Sequence, residues 1–237
     1  MLEELEQVLP GDIEKRSFEI ITEELGERTF DPLEEPIIKR CIHTSADFDY
    51  ADQLYFSPGA VKIGIEAIKK GARIVTDTNM GKAGVNKTAL GKFGGEVLCF
   101  MADEDVAEAA KREGTTRAVA SVKKAAALKA AETAEATGKP KEELGKRRQA
   151  DERPLILAVG NAPTALIEAY ELIQKGRFAP DLVIGVPVGF VNVIPAKERI
   201  MQAGVPCIVA RGRKGGSNIA AAICNALIYM SFNKTKV

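Results

Sequence analysis

Five short runs of almost continuous apolar residues constrain the fold of this chain more than any other feature. A strand with one solvent-exposed face alternates apolar and polar residues, and these runs do not alternate. Continuous apolar runs of this length are typical of parallel strands that are buried on both faces. The predicted strands are Ala72–Asp77, Glu96–Met101, Pro154–Val159, Asp181–Val186 and Val205–Ala210.

Helical patterns separate most of these strands, and glycine follows four of the helices, as is common at helix ends. The predicted helices are Gly59–Lys70 with Ser57 as its N-cap, Asp103–Glu113, Pro163–Lys175, Ala196–Ala203 and Ser217–Met230. Two more, Asp12–Leu25 and Glu34–Thr44, precede the sheet. This order predicts a single domain over residues 1–237, a three-layer α/β/α fold with a mostly parallel, five-stranded Rossmann-like sheet plus N-terminal helices.

The segment Arg117–Arg153 departs from the alternation of strands and helices. Nine of the 19 residues from Ala118 to Ala136 are alanine, which favours a helix. Lys139–Arg153 then holds ten charged residues in fifteen, with Leu144 as its one large apolar side chain. Because such a segment has little apolar surface to bury, we expect a charged helical insert at about 130–153 that contributes little to the core.

Charge and cysteine content exclude several classes of protein. Thirty-three basic residues balance 33 acidic ones, whereas nucleic-acid binders carry a basic excess. The chain lacks an apolar run long enough for a membrane span, and Met1–Pro10 is acidic, unlike a signal peptide. The four cysteines are far apart and form no CxxC pair, which favours buried free thiols. We therefore predict a cytoplasmic protein with no nucleic-acid or membrane partner.

Loops rich in glycine, asparagine and charge follow the predicted strands at their carboxyl ends, where open parallel sheets bind ligands. Turn chemistry alone would explain any one of these loops. Five of them on one edge favour a shared site. The candidate binding residues in the first four loops are Asp77, Asn79, Met80, Asn161, Gly189 and Phe190.

The loop after the fifth strand, Arg211–Ser217, is the most informative of the five. Its three glycines allow the backbone to approach a ligand closely, and Ser217 begins a helix whose N-terminus favours an anion. The pattern is neither a Walker A loop nor a GxGxxG fingerprint. A phosphate or carboxylate ligand fits Arg213, Gly215, Gly216 and Ser217, and a solvated basic turn is the alternative.

His43 is the one histidine of the chain and lies at the end of the second predicted helix. It is either a packed helix-end residue or a general acid, since imidazoles titrate near ~6.5 and suit proton transfer at neutral pH. Asp47 and Asp49 follow closely enough to orient it. One histidine supplies neither a catalytic triad nor a zinc site, so we predict no metal.

Two further positions carry cations near the predicted site. Arg16 and Ser17 lie in the first helix, where a solvated helix face is the alternative interpretation. Arg117 begins the alanine-rich helix and could neutralise a ligand carboxylate, or form a surface salt bridge.

Eight strings spread along the chain resemble one family, the precorrin-8 methylmutases (precorrin isomerases) of cobalamin, or vitamin B12, biosynthesis. In detail they look most like the branch that acts on cobalt-precorrin-8. The strings are Arg16–Phe18, IHTSADFD (Ile42–Asp49), TDTNM (Thr76–Met80), AGVNK (Ala83–Lys87), TTR (Thr115–Arg117), GNAPTAL (Gly160–Leu166), GVPVGFV (Gly185–Val191) and GRKGGSN (Gly212–Asn218).

The resemblance implies an isomerase that moves a methyl group on ring C of the macrocycle, from an alpha carbon to the neighbouring beta carbon, to give cobyrinate. It implies His43 as the general acid, Arg117 as the active-site arginine, and Ser17, Asn86 and Lys87 as substrate contacts. It also implies a homodimer and no cofactor. The macrocycle carries acetate and propionate groups, for which Arg16, Lys87, Arg117 and Arg213 would supply cations.

The sequence leaves three alternative functions open. The first is the metal-free reaction of precorrin-8X to hydrogenobyrinate. The second is a tetrapyrrole carrier without catalysis, which explains the anion-binding loops but not a reactive histidine. The third is a nucleotide-dependent oxidoreductase, which needs a GxGxxG turn after the first predicted strand, where the chain has Thr78–Gly81 instead.

Overall fold

The fold is an α/β domain built on one six-stranded sheet. The computed structural model describes residues 6–137 and 153–232. The strands are β1 (Leu54–Phe56), β2 (Arg73–Thr76), β3 (Glu96–Leu98), β4 (Leu155–Val159), β5 (Leu182–Gly185) and β6 (Cys207–Ala210). They lie in the order β1-β6-β5-β4-β2-β3, and β1 alone runs antiparallel to its neighbour. The α/β prediction is confirmed.

Helices precede, connect and cover these strands. They are α1 (Ile13–Leu25), α2 (Glu35–Ser45), α3 (Tyr50–Gln53), α4 (Ala60–Lys69), α5 (Asn79–Gly84), α6 (Lys87–Gly91), α7 (Glu104–Arg112), α8 (Arg117–Thr137), α9 (Pro163–Gln174), α10 (Val193–Met201) and α11 (Ser217–Phe232). No helix in the described ranges is long and apolar enough to cross a bilayer.

Both faces of the sheet are buried, which explains why its strands are continuously apolar. Along β4, Ile156 and Ala158 pack into one cluster with α2, α4 and α11. Leu155, Leu157 and Val159 point to the opposite face and pack with α8, α9 and α10. Because successive side chains of a strand face opposite sides, burial of both sides requires every position to be apolar. α2 packs on α11, and α1 packs on α2.

The predicted count of five strands is wrong, since β1 adds a sixth. Leu54, Tyr55 and Phe56 pair antiparallel with β6 at the edge of the sheet, and all three are only partly buried. A three-residue edge strand lacks the long apolar run that identified the others. Ser57, predicted as the N-cap of α4, instead accepts a hydrogen bond from the Cys207 amide at 2.8 Å and so extends this pairing.

Two other boundaries differ from the prediction for identifiable reasons. α10 begins at Val193, before Pro195, because a first-turn proline lacks only an N–H that would be unpaired anyway. The segment after β2 was expected to be a loop but forms α5 and α6. Thr78 and Asn86 begin these helices, each accepting a hydrogen bond from the amide three residues on, at 3.0 and 2.9 Å.

The alanine-rich stretch forms α8, as predicted. The remainder of the predicted insert, residues 138–152, lies outside the described residues. The chain re-enters the described part at Arg153, whose guanidinium donates to the Gly71 and Gly94 carbonyls at 2.8 Å and pairs with Glu96 at 2.8 Å. These contacts lie at the amino ends of β2, β3 and β4, the edge of the sheet opposite the predicted site. The four cysteines are buried and free, which confirms that prediction.

Candidate active site

The loops after β2, β4, β5 and β6 meet at one edge of the sheet, here called the strand rim (residues 77–80, 160–163, 186–192 and 211–217). Asn79, Met80, Asn161, Phe190 and Arg213 are exposed there. Ser217 is half-buried at the first position of α11, and its hydroxyl lies 2.7 Å from that of Thr78. The structure thus brings the predicted strand-end residues together.

Asp77 holds the strand rim together from inside. It is 5% exposed, and its carboxylate accepts hydrogen bonds from the amides of Gly160, Asn161 and Ala162 at 2.7–2.8 Å. Burial raises the pKa of Asp77, and the three amides act in the opposite direction. The prediction that Asp77 contacts substrate does not fit this position, because both of its oxygens are used within the protein.

Glycines in the strand rim allow backbones to touch each other. A Cβ at Gly160 would lie 2.6 Å from the Cα of Ser217, and a Cβ at Gly215 would lie within 3 Å of the carbonyl of Val186. The neighbouring Gly216 is buried, and its amide donates to that same Val186 carbonyl at 2.9 Å. The sequence predicted that these glycines admit a ligand, whereas the structure shows that Gly215 and Gly216 first admit the loop after β5.

Two exposed apolar side chains lie on the strand rim. Met80 is 71% exposed and Phe190 is 82% exposed. The Arg213 guanidinium lies over the Phe190 ring, 5.4 Å from its centroid, and the Arg213 carbonyl accepts a hydrogen bond from the amide of Gly189 at 3.2 Å. This surface combines apolar area with a cation, which suits an apolar ligand that carries acidic groups.

A salt bridge ties the strand rim to the end of α2. The Lys214 amine lies 2.6 Å from a carboxylate oxygen of Asp47 and 2.5 Å from one of Asp49. Hydrogen bonding to these carboxylates raises the pKa of Lys214 to about 12, and the bond to Lys214 lowers the pKa of Asp47. The prediction that Asp47 and Asp49 orient His43 is therefore wrong, since both face Lys214.

His43 lies in the last turn of α2 with its side chain exposed. Its imidazole stacks on the Phe18 ring of α1, with the centroids 5.2 Å apart and the planes 20° apart. Within the described ranges the ring nitrogens have no hydrogen-bond partner. The stacking fixes one face of the imidazole, and the nitrogens remain open to a ligand.

Arg40 connects His43 to the segment that contains Asn86 and Lys87. Its guanidinium lies 5.0 Å from the Phe18 centroid and 5.1 Å from the Tyr229 centroid of α11, and it pairs with Glu14 at 2.7 Å. The Asn86 amide side chain donates to the Tyr229 hydroxyl at 3.2 Å. We call the surface formed by Phe18, Arg40, His43, Asn86 and Tyr229 the helix patch.

α11 joins the helix patch to the strand rim. α11 begins at Ser217. The chain segment that follows β2 forms α5, which packs beside α11. The Gly84 carbonyl accepts a hydrogen bond from Asn225 at 2.9 Å, and the Asn86 amide donates to the Asn225 side chain at 2.8 Å. Asn86 therefore lies about two turns farther along α11 than the strand rim. Lys87, the first residue of α6, is exposed beside it.

Three predicted site residues, Arg16, Ser17 and Arg117, lie outside the strand rim and the helix patch as defined above. The Arg16 guanidinium pairs with Glu6 at 2.6 Å and also lies near Glu19 and Glu23, and the Ser17 hydroxyl donates to the Ile13 carbonyl at 2.9 Å. Both residues belong to α1, as does Phe18. Arg117 is exposed at the start of α8 and lies 3.5 Å from the Met101 carbonyl, beyond the end of β3.

Sequence reasoning missed Arg40, Asn225 and Tyr229. All three lie in helices that read as ordinary amphipathic or apolar segments. The one available signal was the presence of Asn225 and Tyr229 within the apolar run Ile219–Met230. Elsewhere in the described ranges, no three His, Cys, Asp or Glu side chains come together as a metal site would require.

Comparison with known proteins identifies close relatives over almost the entire length. A family model described as precorrin-8X methylmutase matches residues 12–230. A cobalt-precorrin-8 methylmutase of Priestia megaterium is 43% identical over 220 residues, covering 93% of this chain and 88% of that protein. One of Leptospira interrogans is 39% identical and covers 94% of each chain. A solved precorrin-8X methylmutase of Thermus thermophilus has a TM-score of 0.75 and 41% identity, covering 93% of this chain and 97% of that chain.

The position of Asp77 generates a stability prediction. Asp77→Asn replaces one acceptor oxygen by an N–H₂ group that faces backbone donors, so at least one buried amide loses its partner. We expect the free energy of unfolding to fall by about 1.5–3 kcal/mol, the scale of hydrogen bonds to charged groups. Urea unfolding measures the change, with Asp12→Asn, at an exposed position, as the matched control. An Asp77→Asn protein as stable as wild type would show that the carboxylate does not hold the strand rim.

Proposed function

The chain belongs to the precorrin-8X methylmutase family, and we propose that it is a cobalt-precorrin-8 methylmutase, which moves a methyl group within its substrate to give cobyrinate. One observation carries the proposal: about two fifths of the residues are identical to enzymes of that name over more than nine tenths of the chain. The site geometry supports the same activity. It offers exposed apolar side chains, several cations and one exposed imidazole.

We assign the proton transfer to His43. An isomerase returns a product of the same composition as its substrate, so a proton that His43 donates to the macrocycle comes back to the enzyme before the next turnover. The imidazole is suited to both steps, because its nitrogens are open and Phe18 holds its ring from one side. The methyl migration itself is intramolecular. Beyond the proton, the protein's contribution is to hold the macrocycle in a reactive conformation.

The strand rim and the helix patch supply the binding surface in this proposal. Met80 and Phe190 would contact the apolar ring, while Lys87, Arg117 and Arg213 would meet its carboxylates. The N-terminus of α11 adds backbone N–H groups, which favour an anion next to Ser217. Arg16 would join this set only after exchanging one of its glutamate partners for a substrate carboxylate.

The role of His43 is tested by its replacement with asparagine. His43→Asn keeps hydrogen-bonding capacity but cannot exchange a proton at neutral pH. Turnover should fall by about 10²–10⁴-fold, as when a general acid is lost, while substrate binding persists. Single-turnover conversion of bound cobalt-precorrin-8, followed by absorbance, measures the rate.

Because His43 is exposed, its replacement should leave the unfolding midpoint nearly unchanged, and this measurement controls for misfolding. His43→Ala should behave like His43→Asn. A single-turnover rate within tenfold of wild type in either variant would remove His43 from the mechanism and leave it as a helix-end residue stacked on Phe18.

The cations of the site generate a binding prediction. Arg117→Ala and Arg213→Ala should each weaken the binding of cobalt-precorrin-8 by about 1.5–3 kcal/mol, the scale of charge-assisted hydrogen bonds. Binding to wild type should weaken as NaCl rises, because exposed charges are screened. Absorbance titration measures both effects. Arg112→Ala, which removes an exposed arginine of α7, is the control and should bind as wild type does. Wild-type affinity in both site variants would place the substrate carboxylates elsewhere.

We also propose a homodimer in the cytoplasm, and α1 is the surface that supports the dimer. Ile13 and Ile20 lie on the same face of α1, and both are exposed, as is Leu9 just before the helix. Light scattering should give twice the chain mass of 25.5 kDa. The double variant Ile13→Glu, Ile20→Glu should shift the equilibrium toward the monomer, because dimerisation would bury the two introduced charges in the interface. A double variant that stays dimeric would move the interface away from α1.

A further inference from the structure

Lys197 on α10 is a buried lysine that the site described so far does not use. It is 1% exposed, although an ammonium group is among the most costly groups to remove from water unless it is paired. The only other lysine buried to a similar degree in the described ranges is Lys129. A fully buried lysine therefore needs hydrogen-bond or ionic partners, and those partners show which part of the protein the lysine holds in place.

Two backbone carbonyls of one loop supply that compensation. The Lys197 amine donates to the Gly212 carbonyl at 2.9 Å and to the Lys214 carbonyl at 2.8 Å. These carbonyls lie on either side of Arg213, in the loop between β6 and α11. Burial lowers the pKa of Lys197 to about 8, and the amine can donate to both carbonyls with or without its extra proton.

The loop that Lys197 holds carries most of the contacts of the strand rim. The Arg213 side chain lies over Phe190, and the Lys214 side chain bonds Asp47 and Asp49 beyond the end of α2. The loop continues through Gly216 to Ser217 and the first turn of α11. A shift of this one segment would displace the Arg213 cation, the start of α11 and the link to the His43 helix together.

Lys197 reaches this loop from the opposite layer of the fold. α10 packs with α8 and α9 on one face of the sheet, whereas α2 and α11 pack on the other. The Lys197 amine therefore connects the far layer to the loop, and the Lys214 amine connects the same loop to the end of α2. Lys214 is exposed enough to exchange its partners with solvent, but Lys197 is not.

We propose that Lys197 is a positioning residue that holds the β6–α11 loop in the conformation that binds substrate. This proposal rests on the proposed function, since the loop's ligand is the substrate assigned there. Lys197 does not touch the substrate in this account. It acts through Arg213 and the first turn of α11, whose places it fixes by bonding the backbone beneath them.

Lys129 offers a matched control for the loss of a buried amine. It is 6% exposed on α8, donates to the Arg153 carbonyl at 2.8 Å and pairs with Asp181 at 3.2 Å. These partners lie before β4 and β5, at the edge of the sheet opposite the strand rim. Lys129→Met and Lys197→Met remove the same chemical group from similarly buried positions, and both should lower stability. Only Lys197→Met should affect the loop.

The first measurement needs no substrate. Hydrogen exchange followed by mass spectrometry should show faster exchange in peptides covering residues 186–192 and 211–217 in Lys197→Met, because the Gly189 and Gly216 amides bond across these two loops. We expect about a tenfold increase in both peptides and none in Lys129→Met. Unchanged exchange in Lys197→Met would overturn the proposal, whatever the activity.

The second measurement uses cobalt-precorrin-8. Lys197→Met should raise KM about tenfold and leave kcat within about threefold of wild type, because uniform binding is lost rather than the chemical step. Adding Arg213→Ala to Lys197→Met should cost less than the product of the two single effects, because both act through one cation. Lys129→Met should keep the wild-type KM. Strict multiplicativity, or an equal KM in the two lysine variants, would reduce Lys197 to a purely structural residue.

A second variant covers the case in which Lys197→Met does not fold. Lys197→Gln keeps an N–H₂ donor on a shorter side chain and should show smaller changes in exchange and KM in the same direction. Failure of the proposed function is read separately, as a wild-type protein that neither binds nor converts cobalt-precorrin-8. A wild-type protein that turns over while neither Lys197 variant differs from Lys129→Met would overturn the Lys197 proposal alone.

Discussion

Burial of both faces of the central sheet is the constraint on which the rest of the structure depends. Helices cover each face, so β4, β5 and β6 carry no charged side chain along their length. Polar groups are confined to the strand ends. The amino ends of β2, β3 and β4 are closed by Arg153 and its carbonyl partners. The carboxyl ends remain as the place where loops, helix N-termini and exposed side chains can meet a ligand.

The helix N-termini of α9 and α11 at the carboxyl edge differ in their hydrogen-bond partners, and this difference indicates which of the two better suits a ligand anion. At α9 the backbone amides before the helix are already bonded by the internal carboxylate of Asp77. At α11 no carboxylate in the described part of the chain bonds to the first turn, and Arg213 lies just before it. A helix N-terminus without an internal anion favours an external one. The loop before α11, for which the sequence predicted an anion, is therefore the better candidate of the two.

The sequence predicted the elements that a local residue pattern encodes, such as the strands. It did not predict side-chain roles that depend on partners far away in the chain. Apolar runs located five strands, because burial on both faces leaves that signature directly. The chemistry of Asp77 was misread, since a carboxylate at a strand end looks the same whether it faces a ligand or three backbone amides. Lys197 was overlooked because it lies beside Glu198 and Arg199, and the three together read as a solvated helix face. Only the position of the β6–α11 loop shows that its amine points inward.

The role proposed for His43 requires that it both give and regain a proton, and the arrangement around the ring suits that role. A carboxylate bonded to an imidazole favours the protonated ring and would hold the proton on the enzyme. The chain has two carboxylates within six residues of His43, yet Asp47 and Asp49 are both bonded to Lys214. Lys214 therefore does two things at once. It fixes the end of α2 to the strand rim. It also pairs with Asp47 and Asp49, the two carboxylates that lie nearest to His43 in the sequence. What holds the ring instead is Phe18, whose side chain stacks on one face of the imidazole.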